Sequence, residues 1–239
     1  MTTRRITSVA IACAVATLVL AAVTLASLAL GSRQIAPDVV WDALVNGGAS
    51  QDAQVVTQLR VPRTVAALVI GGALGLAGSI MQAMTRNPLA DPGVLGINAG
   101  AAFLVVTVTA ASGVATRVAT LGASLLGAGV AAGLVFAMSG SGGGSRSRLA
   151  LAGIAVSAAL ASLTQAVLAA NQYAFNEFRY WASGSLEGVD MASVVSAGAV
   201  IAGGAVVALL ITSALGVLAL GDDAAVSLGV RVQLIRVLG

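Results

Sequence analysis

The chain has no histidine and no lysine, and only one of its 239 residues is cysteine. With Cys13 alone, no disulfide forms within the chain, and no Cys/His metal site can be assembled. Cys13 lies inside an apolar run and reads as a small packing residue. Charge is also scarce. Charged residues make up 9% of the chain, against about 25% in soluble domains, which excludes an ordinary soluble fold. The net charge of +3 comes from arginines scattered among the connecting segments, so there is no basic face for nucleic acid. The chain as a whole is 58% hydrophobic, with a mean hydropathy of +1.00.

The few charges leave six long uncharged windows, at 6–32, 64–85, 92–116, 118–145, 149–176 and 191–221. Each exceeds the roughly 20 residues that a helix needs to span a bilayer, and none alternates as barrel strands do. The expected fold is therefore all-α, a polytopic membrane helix bundle forming one domain over residues 1–239. Its six predicted spans lie at about 8–31, 64–84, 94–112, 117–138, 149–170 and 192–217. The first apolar run is too long for a signal-peptide core and is expected to be a retained span. With the N-terminus cytoplasmic, Arg4, Arg5, Arg86, Arg146, Arg148, Arg231 and Arg236 lie inside, and Arg33, Arg60, Arg63, Arg117 and Arg179 outside. Trp41, Tyr173, Tyr180 and Trp181 then fall in or beside outer loops, as interfacial anchors do. Both termini of the chain are expected to be cytoplasmic.

The most informative stretch is residues 60–100. It opens with Arg60-Val61-Pro62-Arg63, crosses an apolar run, and turns at Arg86-Asn87-Pro88-Leu89-Ala90-Asp91-Pro92-Gly93. Two prolines four positions apart break any helix there, and Gly93 and Gly96 relax the backbone where the next run begins. A short amphipathic helix is expected from Pro37, ended by Asn46-Gly47-Gly48. Gly71/Gly75, Gly96/Gly100 and Gly129/Gly133 form small-xxx-small pairs of the kind that let helices pack closely in lipid. Residues 139–148, rich in Gly and Ser, read as a flexible connector. After the last apolar run, Asp222 and Asp223 stand where a short helix would begin, and Gly229 would close it. No arrangement of residues resembles a catalytic site.

Three segments together resemble the FecCD family, the permeases of ABC importers for iron–siderophore complexes, haem and vitamin B12. They are Arg60-Val61-Pro62-Arg63 with Met81-Gln82 and Asn87-Pro88-Leu89-Ala90-Asp91-Pro92-Gly93-Val94-Leu95-Gly96; Arg179-Tyr180-Trp181-Ala182-Ser183-Gly184-Ser185-Leu186; and Leu220-Gly221-Asp222-Asp223-Ala224-Ala225-Val226-Ser227-Leu228-Gly229-Val230. The resemblance implies two permease subunits, alike or different, with a pathway at their interface. It also implies a substrate-binding protein docked outside and two ATPase subunits inside, in the plasma (inner) membrane. Arg60 and Arg63 match the arginines that meet acidic groups on the binding protein. Met81, Gln82, Asn87, Pro88 and Leu89 match the pathway and its inner constriction. Gly221, Asp222, Asp223, Ala225, Ser227, Leu228 and Gly229 match the coupling segment, at 221–230, that seats in the ATPase.

ATP hydrolysis would belong to the separate ATPase, so neither catalysis nor a cofactor is expected of this chain. Without histidine, the metal is expected to cross inside its chelator. A ferric siderophore is the first choice of cargo, with vitamin B12 or haem behind it. Members of the family have about ten spans, so a chain with six is expected to be C-terminally truncated, a fragment or half of a split gene. A non-transporting remnant is the reading that follows if it never assembles. An ion-coupled secondary transporter is disfavoured, because such proteins carry ionisable groups inside their spans.

Overall fold

A computed structural model of the chain describes residues 3–47, 50–139 and 146–220. Among them every regular element is helical, in the order α1 (Thr3–Ala29), α2 (Pro37–Asn46), α3 (Gln51–Gln54), a π-helical stretch (Val55–Arg60), α4 (Val61–Thr85), a 3-10 turn (Pro92–Leu95), α5 (Ile97–Ser112), α6 (Arg117–Ser139), α7 (Arg146–Ala170), α8 (Gln172–Ala182) and α9 (Met191–Leu220). Among the described residues, five helical segments are long and apolar enough to cross a membrane: Thr7–Ala29, Gln51–Thr85, Arg117–Ser139, Arg148–Ala170 and Met191–Ala214. They fall on five of the six expected spans.

The sixth expectation, a span over 94–112, is met by a shorter helix. α5 has 16 residues, about 24 Å at 1.5 Å per residue, against roughly 30 Å of hydrocarbon. The cause is local. Asp91 Oδ1 accepts from Gly93 N at 2.6 Å, Pro92 opens a single 3-10 turn, and Gly96 leaves it in the left-handed region at φ 72°. The first residues of the apolar run are spent in that turn rather than in the helix.

Close approaches group the chain into two units, Met1–Ile70 with Leu186–Ser196, and Gly71–Ser185 with Ala197–Gly239. The first holds a small core of Ile35, Val40, Ala43, Ala53 and Val56. Here α2 starts on Pro37 with Asp38 in its first turn and stops at Gly47, φ 64°, the short amphipathic helix read from the sequence. Ser50 caps α3, its hydroxyl accepting from Ala53 N at 3.1 Å. Arg33 pairs with Asp52 at 2.8 Å.

In the second unit α5, α6 and α7 pack on one another. Ala131 and Val135 of α6 meet Ala152 and Val156 of α7, while Val106 of α5 meets Leu168 of α7 and Ala174 of α8. The sequence expects Gly96 and Gly100 to act as a packing pair, and both do lie at close approaches. Gly100 faces Gly127, however, and not Gly129 or Gly133. A Cβ on either Gly100 or Gly127 would collide with the other's carbonyl, whereas Gly71, Gly75, Gly129 and Gly133 face open space. Gly153 of α7 admits the Val94 carbonyl in the same way. In the expected outer segment after the fifth span, Asn171 caps α8: its Oδ1 accepts from Ala174 N at 2.8 Å and its Nδ2 donates to Ala110 O at 3.4 Å.

These contacts separate glycines that matter from glycines that do not. Gly127→Ala is expected to lower the unfolding free energy in detergent by about 1–3 kcal/mol through overpacking. Gly129→Ala should leave it unchanged or raise it by up to ~1 kcal/mol through helix propensity. Denaturant unfolding followed by circular dichroism measures both.

Candidate functional site

The sequence sets Arg60 and Arg63 side by side, and the structure parts them. α1 ends at Ala29, and its last carbonyls have no partner within the helix. Arg60, at the end of the π-helical stretch, supplies donors. Its Nη1 donates to Leu28 O at 2.8 Å and to Ala29 O at 2.7 Å, and its Nη2 donates to Arg33 O. The positive charge also complements the negative end of the α1 dipole. Gly31 makes room for it, since a Cβ there would stand 3.0 Å from Arg60 Nη2. One turn on, Thr64 Oγ1 and Ser27 Oγ share a hydrogen bond of 2.8 Å.

Arg60 is consequently 9% exposed. The π winding has a part in this. Val61 N bonds back to Val56 O, five residues earlier, and Ala53, Val56, Arg60 and Thr64 all end up buried. Arg63, by contrast, is exposed, and among the described residues it makes no ion pair or hydrogen bond.

At the other end of α4 the chain turns sharply. Arg86 adopts φ 50°, the left-handed conformation that commonly ends a helix. Asn87 N bonds to Gln82 O at 3.2 Å, and Asn87 Oδ1 accepts from Leu89 N at 3.0 Å. The side chain thus closes a small turn, with Pro88 and Leu89 at its exposed tip. Of the five residues assigned to the pathway, Met81 is buried, while Gln82, Asn87, Pro88 and Leu89 are exposed.

What surrounds Met81 is a cavity of about 580 Å³ inside the second unit. Its walls include Leu76, Ile80, Met81 and Met84 of α4, Phe136 of α6 and Val207 of α9, and among the described residues no charged one lines it. Apart from Met81 these positions were not singled out from the sequence. The signal was there, since residues 73, 76, 77, 80, 81 and 84 recur at the helical period and so form one face of α4. The coupling residues Gly221, Asp222, Asp223, Ala225, Ser227, Leu228 and Gly229 lie outside the described residues.

Long apolar helices and a cavity lined by apolar side chains mark a multi-pass membrane protein. The particular family follows from comparison. The model of the FecCD transport family matches residues 18–239, and the chain belongs to that family.

It is 42% identical over 227 residues to the ferric enterobactin transport system permease protein FepD of Escherichia coli (strain K12), covering 93% of this chain and 67% of that protein. It is 36% identical over 204 residues to the Fe(3+)-citrate import system permease protein YfmD of Bacillus subtilis (strain 168), covering 83% of this chain and 57% of that protein. The hemin transport system permease protein HmuU of Yersinia pestis is 32% identical over 222 residues, covering 90% of this chain and 65% of that protein. The chain thus spans between 57% and 67% of the length of these three relatives. A solved structure described as a metal-chelate type ABC transporter in an inward-facing conformation superposes with a TM-score of 0.75 at 24% identity, covering 93% of this chain and 68% of that one. At that identity the match speaks for the fold.

The two arginines should separate on substitution. Arg60→Ala strands three carbonyls and is expected to cost about 2–4 kcal/mol of stability, given roughly 1.5–3 kcal/mol for one hydrogen bond to a charged group and incomplete additivity. Arg63→Ala should stay within about 0.5 kcal/mol. Thermal unfolding of the purified protein in detergent reads both.

Proposed function

We propose that this chain is a transmembrane permease subunit of a binding-protein-dependent ABC importer and that its cargo is a ferric siderophore. The observation that carries the proposal is the 42% identity, across 93% of the chain, to a permease for ferric enterobactin. The 32% identity to a hemin permease supports haem as a second reading, and vitamin B12 stands behind both on the family resemblance. In the proposed assembly a second permease subunit completes the pathway. A substrate-binding protein docks outside, two ATPase subunits dock inside, and the chain sits in the inner membrane with both ends cytoplasmic.

The side chains divide the work. Arg63, exposed and uncommitted among the described residues, offers its charge to acidic groups on the binding protein, where complementary charge steers and orients encounter. Arg60 supports docking by holding α4 against the end of α1. Met81, in the apolar cavity, belongs to the pathway wall. Gln82 and the Asn87-Pro88-Leu89 elbow stand at its inner end as the constriction. Residues 221–230 take the part of the coupling segment in the ATPase cleft, with Asp222, Asp223 and Gly229 setting its ends.

Three measurements test the reading. In iron-starved cells lacking their own siderophore permease, this chain, expressed with the remaining spans of the family supplied in trans and with its partner permease subunit, binding protein and ATPase, is expected to restore uptake of radiolabelled ferric siderophore. Restored haem uptake alone would move the cargo to the second reading. Uptake that survives ATP depletion and collapses with the proton gradient would overturn the importer class. In the same system Arg63→Glu should slow association of the binding protein about tenfold at low salt, with the difference shrinking as salt rises. Orientation is checked in a Cys13→Ala background, where a thiol reagent that cannot cross the membrane should label Ser50→Cys in intact cells and Ser145→Cys only after permeabilisation.

A further inference from the structure

A second, smaller cavity lies at the far end of the α5–α6 hairpin, where α8 roofs it. Its volume is about 160 Å³, well below the roughly 300–1,000 Å³ of pockets for drug-sized ligands and room for about five waters. It is too small for a metal chelate and belongs to no part of the proposed pathway. Its lining is nonetheless specific: Thr109 of α5, Thr120 of α6, and Glu177, Phe178, Tyr180 and Trp181 of α8.

Three features of this lining call for the same occupant. Glu177 is half-buried, and among the described residues its carboxylate pairs with no cation. Withdrawing a carboxylate from water without a partner is unfavourable. Beside it stand three aromatic side chains, two of them stacked, with the Phe178 and Trp181 ring centroids 5.8 Å apart at 25°. Aromatic faces are negative and attract cations. Finally, Thr109 is 5% exposed. The hydroxyls of the other buried residues Thr64, Ser139 and Thr164 are all hydrogen-bonded, whereas that of Thr109 has no protein partner among the described residues. It lines the cavity with its lone pairs unused.

Ca2+ and Mg2+ take oxygen ligands throughout their shells, and the aromatic faces beside Glu177 supply none. An alkylammonium fits the lining. It carries three N–H donors and no acceptor, enough for the Glu177 carboxylate and the Thr109 hydroxyl, and its charge suits the rings. We propose that this cavity is a binding site for an alkylammonium group. Two sources carry that chemistry at the depth marked by the exposed Tyr173, Tyr180 and Trp181, namely the ethanolamine headgroup of a phospholipid and a soluble amine.

The test uses the full chain with Trp41→Phe, which leaves Trp181 as its only tryptophan, in nanodiscs of phosphatidylglycerol. Raising the phosphatidylethanolamine fraction, and separately titrating soluble ethanolamine, should each shift Trp181 emission along a saturating curve if the cavity takes the ammonium from either source. A response to the lipid alone assigns the headgroup, and a response to the soluble amine alone assigns the free amine. In either case Glu177→Gln is expected to abolish the response. Thr109→Val keeps the shape of the site and removes the hydroxyl, and it should weaken binding by about 3- to 10-fold. No saturable shift with either amine, or an undiminished shift in both folded variants, overturns the proposal.

Discussion

A backbone carbonyl that meets hydrocarbon without a donor costs several kcal/mol, and the end of a spanning helix presents several such groups at once. Where α1 stops and the chain turns back, the guanidinium of Arg60 answers Leu28, Ala29 and Arg33 together. Arginine suits the position because its planar fork places several donors in fixed directions and it stays charged when desolvated. The rest of the first unit is arranged so that this side chain arrives there. The π-helical stretch winds Arg60 onto the buried face with Val56, Gly31 leaves the space, and Thr64 ties the next turn to Ser27. Arg63, three residues on, is thereby placed on an anchored helix end.

The second unit works by a different constraint, which is contact between backbones. Gly100 against Gly127 and Gly153 against Val94 bring α5, α6, α7 and the 3-10 turn closer than any side chain would allow. Dispersion between such surfaces is a main source of attraction between helices in lipid. On α4 and α9 the glycines are treated differently. Gly71, Gly72, Gly75, Gly78, Gly198, Gly203 and Gly204 meet nothing within 4 Å. The same residue type thus makes a close-packed group of helices in one part of the unit and, in another, thins the helices that border the apolar cavity.

Much of this was legible in the sequence. Scarcity of charge located the spans, because an uncharged run long enough to cross leaves few alternatives, and the Asn87-Pro88 and Asp91-Pro92 pairs announced the elbow. Pro37 and Gly47 bounded α2 correctly. The length of α5 was not legible, since hydropathy counts Pro92 to Leu95 as apolar whether they wind as a 3-10 turn or a helix. α8 escaped notice because its polar and aromatic residues read as loop. Its Asn171 cap and the helical spacing of Ala174, Glu177, Phe178 and Trp181 were the available signals. The glycine pairs were found by spacing along one helix, yet the decisive approach is between helices, and spacing within a helix does not say which partner it meets. Burial of Arg60 was hidden for the same reason, because its partners lie about thirty residues away in the chain.

The chemistry of the large cavity bears on what could move along such a wall. Its lining combines aliphatic side chains, Phe136 and two methionines, with no charge and no histidine. A bare ferric ion would find no adequate ligand there, because hard cations require several oxygen donors or comparable groups. A surface of this kind tolerates a cargo that brings its own coordination shell. Apolar contact is non-directional, and Met81 and Met84 can adapt their unbranched side chains to an irregular outline. Discrimination between chelates is then poorly served by the wall itself. In an importer it would fall to the protein that delivers the cargo, and orienting that protein is a task that exposed charge, unlike apolar surface, can perform.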